Sequence, residues 1–212
     1  MIATLVGTAV GYPKATDKAV RWQLTLDTGD LRFYRDKVTG DGYWLLIYEV
    51  TNETGDEHHW IPSFDLVTDQ GEIIADGEGV SRQVQLDLLE IFGDPLLESQ
   101  SDASGPLLMG EENAVRGLVI WKAGHEDVNE VQVFASGVSG DTADVLHPIT
   151  GKKHKLHRVL QLSWFVHGTV DQVELKPLIP RPVGGGTSIY RLDTDTNDDL
   201  SGDDVLRKWV FR

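Results

Sequence analysis

Residues 43–51 run Tyr-Trp-Leu-Leu-Ile-Tyr-Glu-Val-Thr, an almost continuous apolar stretch of aromatic and β-branched types. It is far too short to cross a membrane as a helix, and its composition suits a central β-strand covered on both faces. Asn52-Glu53-Thr54-Gly55-Asp56 supplies turn chemistry directly after it.

The flanking segments repeat the strand signal. Val20, Trp22, Leu24 and Leu26 alternate with Arg21, Gln23 and Thr25, and Leu31 and Phe33 resume the alternation after Asp27-Thr28-Gly29-Asp30. Residues 20–34 therefore predict a hairpin or a bulged strand pair. Trp60, Pro62, Phe64 and Leu66 share one face of the next strand, with Pro62 marking an edge or a bulge because it cannot donate to a ladder. Asp69-Gln70-Gly71 then turns the chain into Glu72-Ile73-Ile74-Ala75.

From Ser81 the period changes. Val84, Leu88, Ile91 and Phe92 fall on one helical face, with Ser81 as N-cap and Gly93-Asp94-Pro95 as the stop, which predicts one helix over 81–92. The Ser- and acid-rich stretch 98–105 predicts a surface loop. Strands return at 114–122, at 128–135 and, after the turn His147–Lys152, at 155–166 with Leu156, Leu160, Leu162 and Trp164 on the core side. Residues 177–186, with three prolines and Gly184-Gly185-Gly186, predict a connector before a last strand at 205–212. The expectation is a single all-β domain, an antiparallel immunoglobulin-like β-sandwich with one short helix insertion, preceded by an N-terminal extension over about residues 1–19.

Composition narrows the function classes. Apolar residues make up 40% of the 212, including six Trp, six Phe and five Tyr, enough for a core without staples. With 19 basic and 34 acidic side chains the formal charge is −15, a field that repels phosphate backbones and anionic lipid and argues against nucleic acid as a partner. No cysteine is present, so disulfides, thiol nucleophiles and Cys-ligated zinc are excluded. The apolar start, Met1 to Val10, is short, lacks a basic flank and has no small-residue cleavage pattern, and no run is long enough for a membrane span. Either the chain is cytoplasmic or a leader has been removed from it.

The series Tyr43-Trp44, Val50-Thr51-Asn52-Glu53-Thr54-Gly55, Trp60-Ile61-Pro62-Ser63-Phe64 and Thr68-Asp69-Gln70-Gly71 resembles uncharacterised immunoglobulin-like β-sandwich proteins of planctomycete-type bacteria. Gly105–Glu111, Ala135–Gly140, Pro148–Gly151 and Lys208-Trp209-Val210-Phe211-Arg212 extend the resemblance over most of the chain from about residue 20. It implies a periplasmic or secreted setting, because members usually carry leader peptides, and it brings no assigned activity. The strand ending in Asn52 and Gly55, followed by Gly110 before another strand, also resembles immunoglobulin-like accessory domains of bacterial surface proteins.

The sharpest candidate for a site is the run Asp193 to Asp204. Asp193, Asp195, Asn197, Ser201 and Asp204 place side-chain oxygens at positions 1, 3, 5, 9 and 12 of a twelve-residue loop, and Asp199 offers its carbonyl at position 7. The run resembles the calcium loops of EF-hand and dockerin modules, which implies Ca2+ as its cation. It departs from them in having Asp198 where a Gly makes the turn, Asp204 in place of a chelating Glu, and strand-like rather than helical residues before it. The alternative is a solvated acidic loop.

Other chemistry finds no pattern. None of the seven histidines has the spacing of a helical zinc pair, Gly137-Val138-Ser139-Gly140 lacks the nucleophile-elbow spacing, and Gly77-Glu78-Gly79 lacks the third glycine of a dinucleotide fingerprint. Trp44, Trp60, Trp121 and Trp164 alternate with polar neighbours, as core residues do. The leading expectation is a non-enzymatic extracytoplasmic module that acts by binding a protein partner or by self-assembly. The alternative is a carbohydrate-active or other hydrolase with an unrecognised carboxylate pair.

Overall fold

The computed structural model describes residues 12–166, 176–177, 179–180 and 207–212. Strands β1 (Thr25–Thr28) and β2 (Arg32–Arg35) both pair antiparallel with β3 (Gly42–Thr51), β1 ending with Thr28 opposite Tyr48 and β2 beginning with Arg32 opposite Leu45. They lie end to end along one edge of β3, so the hairpin expected at 20–34 is corrected to its bulged alternative. In the interruption the Gly29 amide donates to the Ile47 carbonyl at 2.9 Å, which keeps the backbone on the ladder while Leu31 and Phe33 return to the core. Val20, expected on the core face, is 90% exposed; its amide and that of Arg21 are held by the Asp141 carboxylate instead.

β4 (His58–Trp60) and β5 (Ser63–Thr68) flank Pro62, and the proline marks a change of sheet. β4 pairs with β8 (Gly105–Leu107) in a small two-stranded ribbon, whereas β5 forms a hairpin with β6 (Ile73–Ala75) through Gly71 at φ 84°. The helix α1 (Arg82–Phe92) starts where the capping signal places it: the Ser81 hydroxyl accepts from the Val84 amide at 3.2 Å, and Gly93 closes the helix in the left-handed region at φ 61°. Val84 and Leu88 are buried, but Ile91 is 52% exposed at the last turn, where Phe92 packs in its place. The loop expected at 98–105 is also corrected. It contains the end of β7 (Leu97–Ser99) and the start of β8, with Ser99 and Ala103 buried.

β9 (Val115–Lys122) pairs antiparallel with β3 and parallel with β7, the single departure from antiparallel pairing among the described residues. The first sheet therefore runs β7, β9, β3, then β1 and β2. In the second sheet β10 (Glu130–Ser136) and β11 (Thr142–Leu146) lie end to end along β12 (Lys153–Phe165), and β10 also carries β5. The expected connector after residue 176 is corrected in part. Its β13 (Lys176–Pro177) pairs with β2 and its β14 (Ile179–Pro180) with β12, so it links the two sheets, and β15 (Arg207–Phe211) follows β14 along the free edge of β12.

The two sheets pack face to face. Trp44, Leu46, Tyr48, Val50, Val119 and Trp121 from the first meet Phe64, Leu66, Val131, Val133, Leu160 and Leu162 from the second in one continuous core. This is an all-β sandwich with one α-helix among the described residues. α1 lies on the outer face of the first sheet, where Val84 and Leu88 close a second apolar cluster over Tyr43, Leu45, Leu118 and Ile120. The near-complete burial of β3, foreseen from its composition, follows: one face meets the opposing sheet and the other meets α1. No helix among the described residues is long and apolar enough to cross a membrane.

Candidate functional site

Alternation along β3 sends Leu45, Ile47 and Glu49 to the outer face that α1 covers only in part. The helix stops at Phe92, and past its end a cleft of about 340 Å³ opens over Ile47. Its floor is Leu45 and Ile47, one wall is the Phe92 ring, and the opposite wall is the interruption between β1 and β2. Leu31 and Phe33 are drawn into the core, so the intervening alternation turns Asp30 and Arg32 outward onto this wall.

The charges in the cleft differ in their commitments. Arg116 is bound on the far side by Glu49 at 3.5 Å and by Asp94, and Asp27 faces Arg207 at 3.6 Å. Arg32 and Asp30 have no ion-pair or hydrogen-bond partner among the described residues. The Arg32 guanidinium lies 6.0 Å from the Phe92 ring centroid. The cleft thus offers one uncommitted cation and one uncommitted anion over an apolar floor. Neither was visible as a site in the sequence; the only signal was their position as the polar partners of Leu31 and Phe33.

A second polar concentration proves to be structural. Arg158 is 1% exposed on β12, and its guanidinium donates to the carbonyls of Thr16 and Asp17, to Gln23 Oε1 at 2.7 Å and to Ser139 Oγ at 3.3 Å. Those bonds use every N–H of the guanidinium, so none remains for a ligand. Beside it the Asp141 carboxylate accepts from the amides of Val20 and Arg21, each at 2.8 Å. Burial draws the Arg158 pKa down from its ordinary value, against the opposing pull of Asp141 and Asp17.

The residues singled out for chemistry are placed as follows. The calcium-loop residues Asp193, Asp195, Asn197, Asp199, Ser201 and Asp204 lie outside the described residues. Among the described residues no group of three or more His, Asp or Glu side chains is gathered closely enough to hold a metal ion. His58 stacks 4.4 Å from Trp22 and contacts Thr54, His125 meets Glu72 at 2.8 Å, and His147 caps its own turn by accepting from the amides of Ile149 and Thr150. Ser139 is engaged by Trp22, Arg158 and the Asp141 amide, and Trp44, Trp60, Trp121 and Trp164 are all core. Compared with protein-family models, with curated proteins and with solved structures, the chain matches none.

Proposed function

We propose that this sandwich is a non-enzymatic binding module, set outside the cytoplasm, and that its ligand docks in the cleft at the C-terminal end of α1. The observation that carries the reading is the pair Arg32 and Asp30, opposite charges with no ion-pair or hydrogen-bond partner among the described residues, on the wall of an apolar-floored recess. An uncommitted guanidinium recognises a carboxylate and an uncommitted carboxylate recognises an ammonium group. A ligand that presents both, with an apolar body to cover Leu45, Ile47 and Phe92, is a zwitterion of the amino-acid or short-peptide kind. The extracytoplasmic setting rests on the resemblance of Tyr43–Gly71 and the later blocks alone, and fractionation of cells expressing the natural protein tests it.

Thermal unfolding in the presence of leucine, phenylalanine and their dipeptides tests the binding reading. A ligand at a hundredfold excess over its Kd stabilises by about 2.7 kcal/mol, roughly a 5–10 °C rise in Tm for a domain of this size. The rise should vanish in Arg32→Ala and in Asp30→Ala, and should be absent for the amide of the same amino acid. A flat response to all zwitterions, or a rise that survives both substitutions, overturns the reading.

A further inference from the structure

β11 and the first five residues of β12 form a hairpin closed by the turn His147–Lys152. Among the described residues β11 pairs with β12 alone, and on the opposite edge of β12 the ladder to β15 stops at Arg158, with His157 bonded to Arg212. No residue from 142 to 157 is buried, so the hairpin stands clear of the core, and none of its residues borders the cleft. Four steps of about 3.3 Å separate the Thr142–His157 rung from the Leu146–Lys153 rung, which carries the tip more than about 13 Å from the body of the sandwich.

The hairpin inverts the charge of the chain. Its charged side chains are Asp144 and three lysines, Lys152, Lys153 and Lys155, in a sequence where 34 acids outnumber 19 bases. Lys153 meets Asp144 at 2.9 Å and, with Lys155 opposite in register, holds that carboxyl below its usual range; Lys152 has no ion-pair partner among the described residues. Apolar side chains crown the same end: Leu146 on the last rung is 57% exposed and Ile149 in the turn is 89% exposed. The turn also satisfies its own main chain. His147 Nδ1 accepts from the Ile149 and Thr150 amides, the His147 carbonyl from Gly151, the Thr150 hydroxyl from the Lys152 amide at 3.4 Å, and the Lys152 carbonyl from the His147 amide. Pro148 has no N–H to satisfy. Every main-chain N–H from 147 to 152 thus has an acceptor inside the turn, which removes a large part of the cost of taking it out of water.

We propose that the tip of this hairpin docks on an anionic lipid surface, with Ile149 and Leu146 seated where head groups meet acyl chains and the three lysines against lipid phosphates. Lys155 lies about 7 Å behind Lys153 along the strand, so the whole set fits within the 5–10 Å or so that an interfacial element enters. The formal charge of −15 does not oppose this contact, because the screening length at physiological salt is about 8 Å and the acids of the body lie farther back than that. Each lysine at an anionic surface contributes about fivefold in affinity. A soluble polyanion or an acidic protein face would take the lysines but leave Ile149 in water and gain nothing from a self-satisfied turn. The docking is peripheral, since strands that cross a bilayer need about 9–11 residues and β11 has five.

The absence of cysteine makes the test site-specific, because Ile149→Cys carries a single environment-sensitive fluorophore at the tip. Mixed phosphatidylcholine–phosphatidylglycerol vesicles should brighten and blue-shift its emission, and phosphatidylcholine vesicles should not. The same label on Val38→Cys, a position 92% exposed in the turn before β3, should respond to neither. In co-sedimentation of the unlabelled chain with the mixed vesicles, Ile149→Asp should weaken binding about tenfold or more, as should Lys152→Ala combined with Lys155→Ala. All three positions are exposed, so an unchanged urea midpoint verifies the fold of each variant. No binding to the mixed vesicles at low ionic strength overturns the proposal, as does a tip label that stays in water while the chain binds, or binding that both sets of substitutions leave intact. Binding to dextran sulfate that matches binding to vesicles and is indifferent to Ile149→Asp assigns the lysines to a soluble polyanion and overturns it too.

Discussion

Arg158 on β12 and Trp209 on β15 sit diagonally across the strand pair, with the guanidinium carbon 3.7 Å from the indole centroid. The same guanidinium holds the carbonyls of Thr16 and Asp17, so one side chain ties both the N-terminal segment and the last strand to the end of the sandwich. Arg158→Leu should lower stability by about 2 kcal/mol or more, because it removes five hydrogen bonds, one of them to the buried Ser139 hydroxyl, as well as the stacked cation. Arg158→Lys should recover little, since an ammonium cannot span these acceptors. Urea unfolding reports the loss, and faster hydrogen exchange at the Val20 and Arg21 amides locates it; an unchanged midpoint for Arg158→Leu refutes the assignment.

Tyr48 lies flat on Gly117 of the neighbouring strand. A β-carbon at 117 would come within 2.6 Å of the Tyr48 ring, closer than packed atoms tolerate. Gly117→Ala should therefore cost about 1–3 kcal/mol. In a Tyr48→Leu background the same alanine should cost little, and a double-mutant cycle by chemical denaturation measures the coupling. Additive costs would show that the glycine serves something other than the phenol.

Two carboxyls draw stability in opposite directions with pH. The Val38 amide and the Thr39 hydroxyl, at 3.0 and 2.7 Å, hold the Asp36 carboxyl below its usual range, so its contribution is present at neutral pH and is lost as pH falls through that lowered pKa. Asp76 is raised by burial, so its contribution is complete below the ordinary carboxylate pKa and is lost as pH rises through the raised one. At neutral pH, Asp36→Ala should be less stable than the parent and Asp76→Asn more stable. Both gaps should narrow on acidification, as measured by urea midpoints across a pH series; a gap for Asp76→Asn that is constant with pH contradicts the burial argument.

The caps of α1 set where the helix begins and ends on the outer face of the first sheet. Ser81→Ala removes the acceptor for the Val84 amide and should cost about 1 kcal/mol. Gly93→Ala forces a β-carbon into the left-handed region and should cost about 1–2 kcal/mol. Hydrogen exchange of the helix amides should accelerate first at the mutated end. Uniform protection in both variants would show that packing on Leu45 and Leu118 alone sets the helix.

The elements that bury one face completely were the legible ones. β3 follows from its continuous apolar run, β9 and β12 from alternation, and α1 from Ser81, Val84, Leu88 and Gly93, because each cue is local. Pairing partners were not legible: Asp27–Asp30 has turn chemistry, yet long-range bonding to β3 absorbs it as a bulge. β7 and β8 escaped because they are three-residue edge strands within a Ser-rich stretch. Arg158 did leave a signal. It occupies a core-facing position in the series Leu156, Leu160, Leu162, Trp164, where an arginine has to be satisfied by buried partners. Arg32 and Asp30 left only a parity, and the cleft that gives them meaning exists once α1 ends at Phe92.

Pro180 stands opposite Trp164 and Arg207 opposite Leu162, so the chain leaves the edge of β12 and rejoins it two residues farther along, about 7 Å away. The entropic cost of closing a chain across so short a gap rises only slowly with the length of the chain that spans it, by about 0.6 kcal/mol for each doubling. Two strands that share one edge so closely therefore set the ends of that span without setting its length.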